Sequence, residues 1–351
     1  MHSDIKTPYR YFAAANGYLG FRSYFGEIFD SKDYDRIFVI KGGPGTGKST
    51  FMKMAANYFF DKGCYVEAIY CSSDINSLDG TLIEKNGARV ALIDATAPHE
   101  RDAKIPGAID TILNLGEGFD EAALENQRLH ILKLNQEKKS SYDSAYSYLS
   151  IIGNIDRKIR ADYEKNNSCT EISEKAKDLA KANLPPSCQG KKRRLTSSFS
   201  KDGYSTLNTL STLADSIITI KGDGVSEYIF MRALLEEANL IGAAYTVAPS
   251  PFCDDITEEL YFPDASLTVS TRGSLSKVID TVPHSSMAST SANAALQDMK
   301  RKLLALAKDA FAEASRYHFE LEKIYTAAMD FEKNFVIYSK TSERICEILR
   351  L

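Results

Sequence analysis

Tryptophan is absent from the 351 residues, and the six cysteines are scattered without a C-x-x-C pair. Cys64, Cys71, Cys169, Cys188, Cys253 and Cys346 therefore suggest neither a zinc framework nor a disulfide scaffold, and reduced thiols are expected. Long apolar runs are missing too; nothing approaches the roughly 18 uninterrupted apolar residues of a membrane span. The opening MHSDIKTPYR lacks the apolar centre of a secretory leader, so a cytoplasmic chain with no membrane association is expected. Positive charge is not in excess, with 43 Lys and Arg against 47 Asp and Glu and a formal net charge of −4. That balance removes the global basic footprint of a nucleic-acid binder. The one basic cluster, Lys191-Lys192-Arg193-Arg194, reads as a solvated linker more readily than as a phosphate or nucleic-acid patch.

What is present is a chain of ordinary globular composition, 44% hydrophobic and 26% charged, long enough for two or three cores. Its most specific segment is Gly42-Gly43-Pro44-Gly45-Thr46-Gly47-Lys48-Ser49, a complete G-x-x-x-x-G-K-S phosphate-binding loop. Ile37–Ile40 before it predicts a strand, and Phe51–Phe60 after it predicts a helix. Glycines let consecutive backbone N–H groups turn inward around phosphates, and the helix start adds its positive dipole end. Lys48 is the expected cation for the β- and γ-phosphates, Ser49 the magnesium ligand, and Thr50 a hydrogen bond near the α-phosphate. ATP with Mg2+ is the expected pair. No N-K-x-D element follows, which argues against a Ras-type GTPase and favours ATP over GTP; no L-S-G-G-Q signature or dense arginine lid appears either.

The chain also repeats itself. Asp35-Arg36-Ile37-Phe38-Val39-Ile40-Lys41-Gly42 recurs as Asp215-Ser216-Ile217-Ile218-Thr219-Ile220-Lys221-Gly222, and Phe51-Met52 as Phe230-Met231. Arg89–Ile93 pairs with Ser266–Ser270. The expected architecture is α/β: two tandem P-loop NTPase-like units with mainly parallel sheets, each followed by a long helical hairpin, the second unit degenerate. Unit one spans 8–185 with its hairpin at about 120–165. A linker covers 186–198, and unit two spans 199–351 with its hairpin at about 295–349. Within unit one the pattern predicts a strand near Tyr11–Ala14, a helix from Gly17 to Phe29, a hairpin or loop at 80–87 and a strand at 89–94. Tyr142, Tyr146, Leu149 and Ile152, like Leu321, Tyr325, Ala328 and Phe331, follow helical spacing and are expected to pack on the sheet or on the twin unit.

The second copy has lost the chemistry. Glu227 stands where Lys48 does, Tyr228 where Ser49 does, and Thr271 opposite Asp94. In the first copy Ala91-Leu92-Ile93-Asp94 resembles a Walker B strand whose acid holds magnesium-bound water, or else a strand ending in an N-cap aspartate. Ala95 follows where many ATPases carry a glutamate. Asp74 is placed to orient an acceptor hydroxyl, Glu100 or His99 to position water, and Arg89 and Arg101 to stabilise charge; each is equally a loop cap or surface residue.

Taken together, KGGPGTGKST, CSSDINSLDG, ALIDATAPHE and PGAIDTILNLGE resemble a bacterial family of tandem P-loop proteins whose members are labelled ATPase or nucleotide kinase-like. The resemblance implies ATP binding with hydrolysis at Gly42–Thr50, a magnesium contact from Asp94, and Thr96 and His99 facing the γ-phosphate. Three functions stand open at this point: an ATPase, a small-molecule or nucleotide kinase using Asp74, and an ATP-sensing module with little turnover. A homo-oligomer or protein partner is left open.

Overall fold

The first strand, β1 (Arg10–Phe12), leads into a hairpin of β2 (Ala14–Gly17) and β3 (Gly20–Ser23) and a one-turn helix α1 (Phe25–Ile28). Strand β4 (Arg36–Lys41) enters the glycine-rich loop and helix α2 (Lys48–Asp61), followed by β5 (Tyr65–Tyr70), β6 (Leu78–Lys85), β7 (Ala88–Asp94) and β8 (Asp110–Asn114). Helices α3 (Glu121–Asn126), α4 (Arg128–Asn166) and α5 (Thr170–Asn183) come next. The pattern then restarts with β9 (Lys191–Arg193), the hairpin β10 (Ser197–Ser200) and β11 (Gly203–Thr206), α6 (Thr209–Leu213), β12 (Ser216–Lys221) and α7 (Val225–Ile241). It closes with β13 (Tyr245–Pro249), β14 (Thr257–Phe262), β15 (Leu267–Ser270), β16 (Lys277–Asp280), α8 (Ser291–Ala327) and α9 (Phe331–Leu349). This computed structural model describes residues 4–273, 277–281 and 291–351, without the side chains of 291–293. No helix among the described residues is long and apolar enough to cross a membrane.

The two units are similar α/β layers. Each holds a six-stranded mixed sheet, ordered β1-β5-β6-β7-β4-β8 in the first and β9-β13-β14-β15-β12-β16 in the second. Five strands of each sheet run parallel, and only β6 or β14 is reversed. The apolar run of β4 explains why both faces are covered: Ile37 and Val39 join the core of Phe12, Phe25 and Phe29, while Phe38 and Ile40 join Phe51 and Met52 of α2.

Several local expectations are corrected. The helix expected from Gly17 to Phe29 is instead the β2–β3 hairpin plus α1. Gly17 and Gly20 bracket its two-residue turn with Gly20 at φ +98°, which places Leu19 at an exposed tip. Of the hairpin or loop expected at residues 80–87, the structure has the hairpin. These residues carry most of β6, which turns at Asn86-Gly87, both left-handed, and lies inside the sheet between β5 and β7.

The helical tails cross over rather than fold back as hairpins within their own units. Helix α4 packs antiparallel along α8: Lys300 pairs with Asp156 at 2.7 Å, and Tyr142 and Tyr146 meet Phe311 further along. Ile172, Ala176, Leu179 and Ala180 of α5 then share a core with Ile218 and Ile220 of β12 and Ile229 of α7 in the second unit. Reciprocally, Ile345 and Leu349 of α9 share a core with Phe38 and Ile40 of β4 and Met52 of α2 in the first unit. Each buried Ile, Leu, Met or Phe among these contributes about 1.5–3 kcal/mol, so the exchange ties the halves together thermodynamically.

The 186–198 segment is likewise not free linker. It supplies edge strand β9, and Leu195 bridges to Phe12. Arg194, read as solvated, is buried and pairs with Glu67 at 2.9 Å. Burial alone would raise the Glu67 carboxyl, but the Arg194 guanidinium and the Tyr65 hydroxyl hold it below its usual range.

Candidate functional site

The site grows from the end of β4. Lys48 opens α2 behind Gly47, which takes the left-handed conformation at φ +83°. The Lys48 ammonium donates to the carbonyls of Gly42 and Gly43, each at 2.9 Å, and lies 3.6 Å from Asp94 Oδ2. Thr46 is buried and donates its hydroxyl to the Gly43 carbonyl at 2.9 Å, bracing the loop from within. Gly42, Gly43, Pro44 and Gly45 are half-buried, and Thr50 is exposed on the first turn of α2. The Ser49 hydroxyl accepts from the Leu78 N–H at 2.9 Å, which joins the loop to the start of β6.

Asp94 ends β7 in register with Ile40, beside the loop. Its Oδ1 accepts from the N–H and hydroxyl of Thr96, at 2.9 and 2.6 Å, leaving Oδ2 toward Lys48. Asp94 thus caps the following turn and faces the lysine. His99 is buried behind it, its Nδ1 3.1 Å from the Asp94 carbonyl and its Nε2 3.3 Å from Asp79 Oδ2, with Phe25 stacked on the ring. Burial opposes a charge on this imidazole. The hydrogen bond to Asp79 and the nearby carboxylates of Asp79 and Asp94 outweigh it, so its pKa is raised. Burial and Asp79 also push the neighbouring Cys71 thiol up.

The remaining candidates scatter. Asp74 caps its own loop, accepting from the Asn76 N–H at 3.1 Å, and lies 3.9 Å from Lys201 of the second unit's hairpin. Glu100 is exposed on the rim of a cleft of about 460 Å³ that also involves Lys41 and Thr96. Arg101 is buried as a brace, bonded to the Phe29 carbonyl, to Ser31 and to Asp110. Arg89 pairs with Glu84 and lies over the Tyr34 ring. Neither arginine reaches the loop through these contacts.

Two placements escaped sequence reasoning, one of an acid noted in Ser77-Leu78-Asp79-Gly80 and one of a distant joint. Asp79 enters because β6 is reversed, which brings its first residues to the edge where β5 and β7 end. The joint between α8 and α9 enters because the tails cross over. Thr326 donates to the Gly45 carbonyl at 3.3 Å, Asn334 Nδ2 donates to the Thr46 carbonyl at 2.8 Å, and Phe119 bridges to Met329. Nothing in the sequence pairs Thr46 with Asn334, 288 positions away.

The second loop is filled by its own side chains. Glu227 Oε1 accepts from the Gly222 N–H at 2.9 Å, while Asp223 Oδ1 accepts from the N–H groups of Val225 and Ser226 at 3.2 and 2.9 Å. Lys48 and Glu227 return to the first glycine of their loops with opposite charge. Thr271 follows Ser270 at the position where Asp94 follows Ile93, and its N–H and hydroxyl are taken by the Glu258 carbonyl. Compared with protein-family models, with curated proteins and with solved structures, the chain finds no match.

Proposed function

We propose that the chain binds one nucleoside triphosphate, ATP in preference to GTP, at Gly42–Thr50 and hydrolyses it with magnesium, as a cytoplasmic tandem P-loop protein whose second copy is a pseudo-site. The observation that carries this reading is Lys48, held between two loop carbonyls and 3.6 Å from Asp94. An ammonium so placed needs only to release carbonyls to meet phosphate oxygens. The N–H groups at the start of α2 supply the rest of the anion cradle.

The oxygen donors fit magnesium. Ser49 offers a hydroxyl and Asp94 a carboxylate, hard ligands of the number this ion takes from protein when phosphates and water complete its shell. Magnesium there would neutralise charge on the leaving and transferred phosphates. Thr96 and His99 fix Asp94 at its carboxylate and its carbonyl respectively. Both imidazole nitrogens of His99 are engaged, by the Asp94 carbonyl and by Asp79, so in this reading it supports Asp94 rather than meeting the γ-phosphate as the family resemblance implied.

At the second loop, the carboxylates of Asp223 and Glu227 already occupy N–H groups that a phosphate would need. The kinase alternative gains little, since Asp74 is committed to its own turn and to Lys201. The test is γ-labelled ATP incubated with the protein alone and with a metabolite pool. Free phosphate without acceptor supports the hydrolase. Label found only in a small molecule replaces it with a kinase, and binding without either leaves a sensor.

A further inference from the structure

The triphosphate reading accounts for the loop but not for what the second copy contributes to it. Asn334 of α9 is nine-tenths buried, and its Nδ2 is committed to the Thr46 carbonyl at 2.8 Å. Its Oδ1 is buried with no hydrogen-bond donor among the described residues. Because the amide nitrogen is engaged, the side chain offers one thing, a carbonyl acceptor, beside a helix N-terminus. Leaving a buried acceptor without a donor is costly, so such a group points to a donor supplied from outside the chain. Phe331, one turn earlier on α9, lies against the same loop: a Cβ on Gly47 would stand 3.6 Å from its Cε1. Its ring is 45% exposed, and Phe335, beside Asn334, is 62% exposed. Half-exposed aromatic faces next to a phosphate cradle suit the π-face of a base.

Resting on the triphosphate reading, we propose that the start of α9, which belongs to the degenerate copy, is the nucleobase subsite of the first copy's loop. Asn334 accepts from the exocyclic amine of an adenine-type base, and Phe331 provides a stacking face. The second copy is therefore retained because the nucleotide site is composite.

The test separates base recognition from loop bracing. Binding of the magnesium complexes of ATP, of ITP, which carries an oxo group in place of the 6-amine, and of tripolyphosphate, which has no base, is measured by calorimetry on the full chain. Wild type is expected to bind ATP about tenfold more tightly than ITP, a ratio that needs no variant. Asn334→Ala and Phe331→Leu are each expected to weaken ATP about tenfold and leave tripolyphosphate unchanged, with folding checked by thermal unfolding. Equal binding of ATP and ITP by wild type overturns the assignment, as it would if water alone satisfies Asn334. Equal weakening of ATP and tripolyphosphate in the variants also overturns it and leaves these residues as braces of the loop. If wild type binds neither triphosphate nor tripolyphosphate, the loop assignment itself falls.

Discussion

Gly45→Ala isolates one contact that the crossed-over architecture makes at the loop. Gly45 sits at φ +71°, where a non-glycine residue costs about 1–2 kcal/mol. A Cβ there would stand 2.5 Å from Thr326 Oγ1 and 2.7 Å from the Glu322 carbonyl oxygen. A side-chain hydroxyl can rotate away, but a helix carbonyl cannot, so the end of α8 must retreat. Overpacking of that kind adds about 1–3 kcal/mol, for a total of about 2–5 kcal/mol. Gly87→Ala is the matched control, with φ +78° and nothing within 4 Å of the added methyl, so it carries the backbone cost alone. Urea unfolding followed by far-ultraviolet circular dichroism and the tyrosine signal should show Gly45→Ala the less stable by about 1–3 kcal/mol. Equal costs would mean that α8 does not bear on the loop, and the account of the second copy's role would fail.

Arg194→Leu should cost about 3–5 kcal/mol in the same assay, because it leaves the Glu67 carboxylate buried without its guanidinium. Replacing both partners with apolar residues should recover most of that loss; if the single variant is harmless, the pair does not join the halves. For His99 the sign runs with protonation: its folded pKa is raised, so its stabilisation is complete below the unfolded value of about 6.5 and is lost as pH rises through the folded one. Wild-type stability should therefore fall more steeply than that of His99→Gln as pH climbs from about 6 to 8.5. Parallel pH profiles would show that the imidazole is not held charged by Asp79.

The sequence was most legible where function and fold make the same local demand. The strand, loop and helix of Ile37–Phe60 follow from apolar runs flanking glycines, and the repeat exposed a second unit with the same strand order. The charge reversal at Glu227 could be read from alignment, but its consequence, a carboxylate on the Gly222 N–H, needed the structure. Other features were hidden for physical reasons. Gly17–Phe29 carries apolar residues at helical spacing, yet Gly17 and Gly20 make a tight turn cheaper than a helix. The reversal of β6, which brings Asp79 to His99, is a property of sheet order that no local pattern encodes. The amphipathic stripes of α4 and α8 showed that each helix needs a partner and left open whether it is the sheet or the other copy; the structure has the other copy. Asn334 at Thr46 is a consequence of that choice.

The central claim is one functional triphosphate site per chain, in the copy that kept its lysine. Calorimetric titration of the full chain with ATP and magnesium measures it directly, alongside Lys48→Ala and Glu227→Ala. The account predicts a stoichiometry of one for wild type, no binding for Lys48→Ala, and one site of nearly wild-type affinity for Glu227→Ala. Two sites in wild type, or binding that survives Lys48→Ala and vanishes in Glu227→Ala, would contradict it.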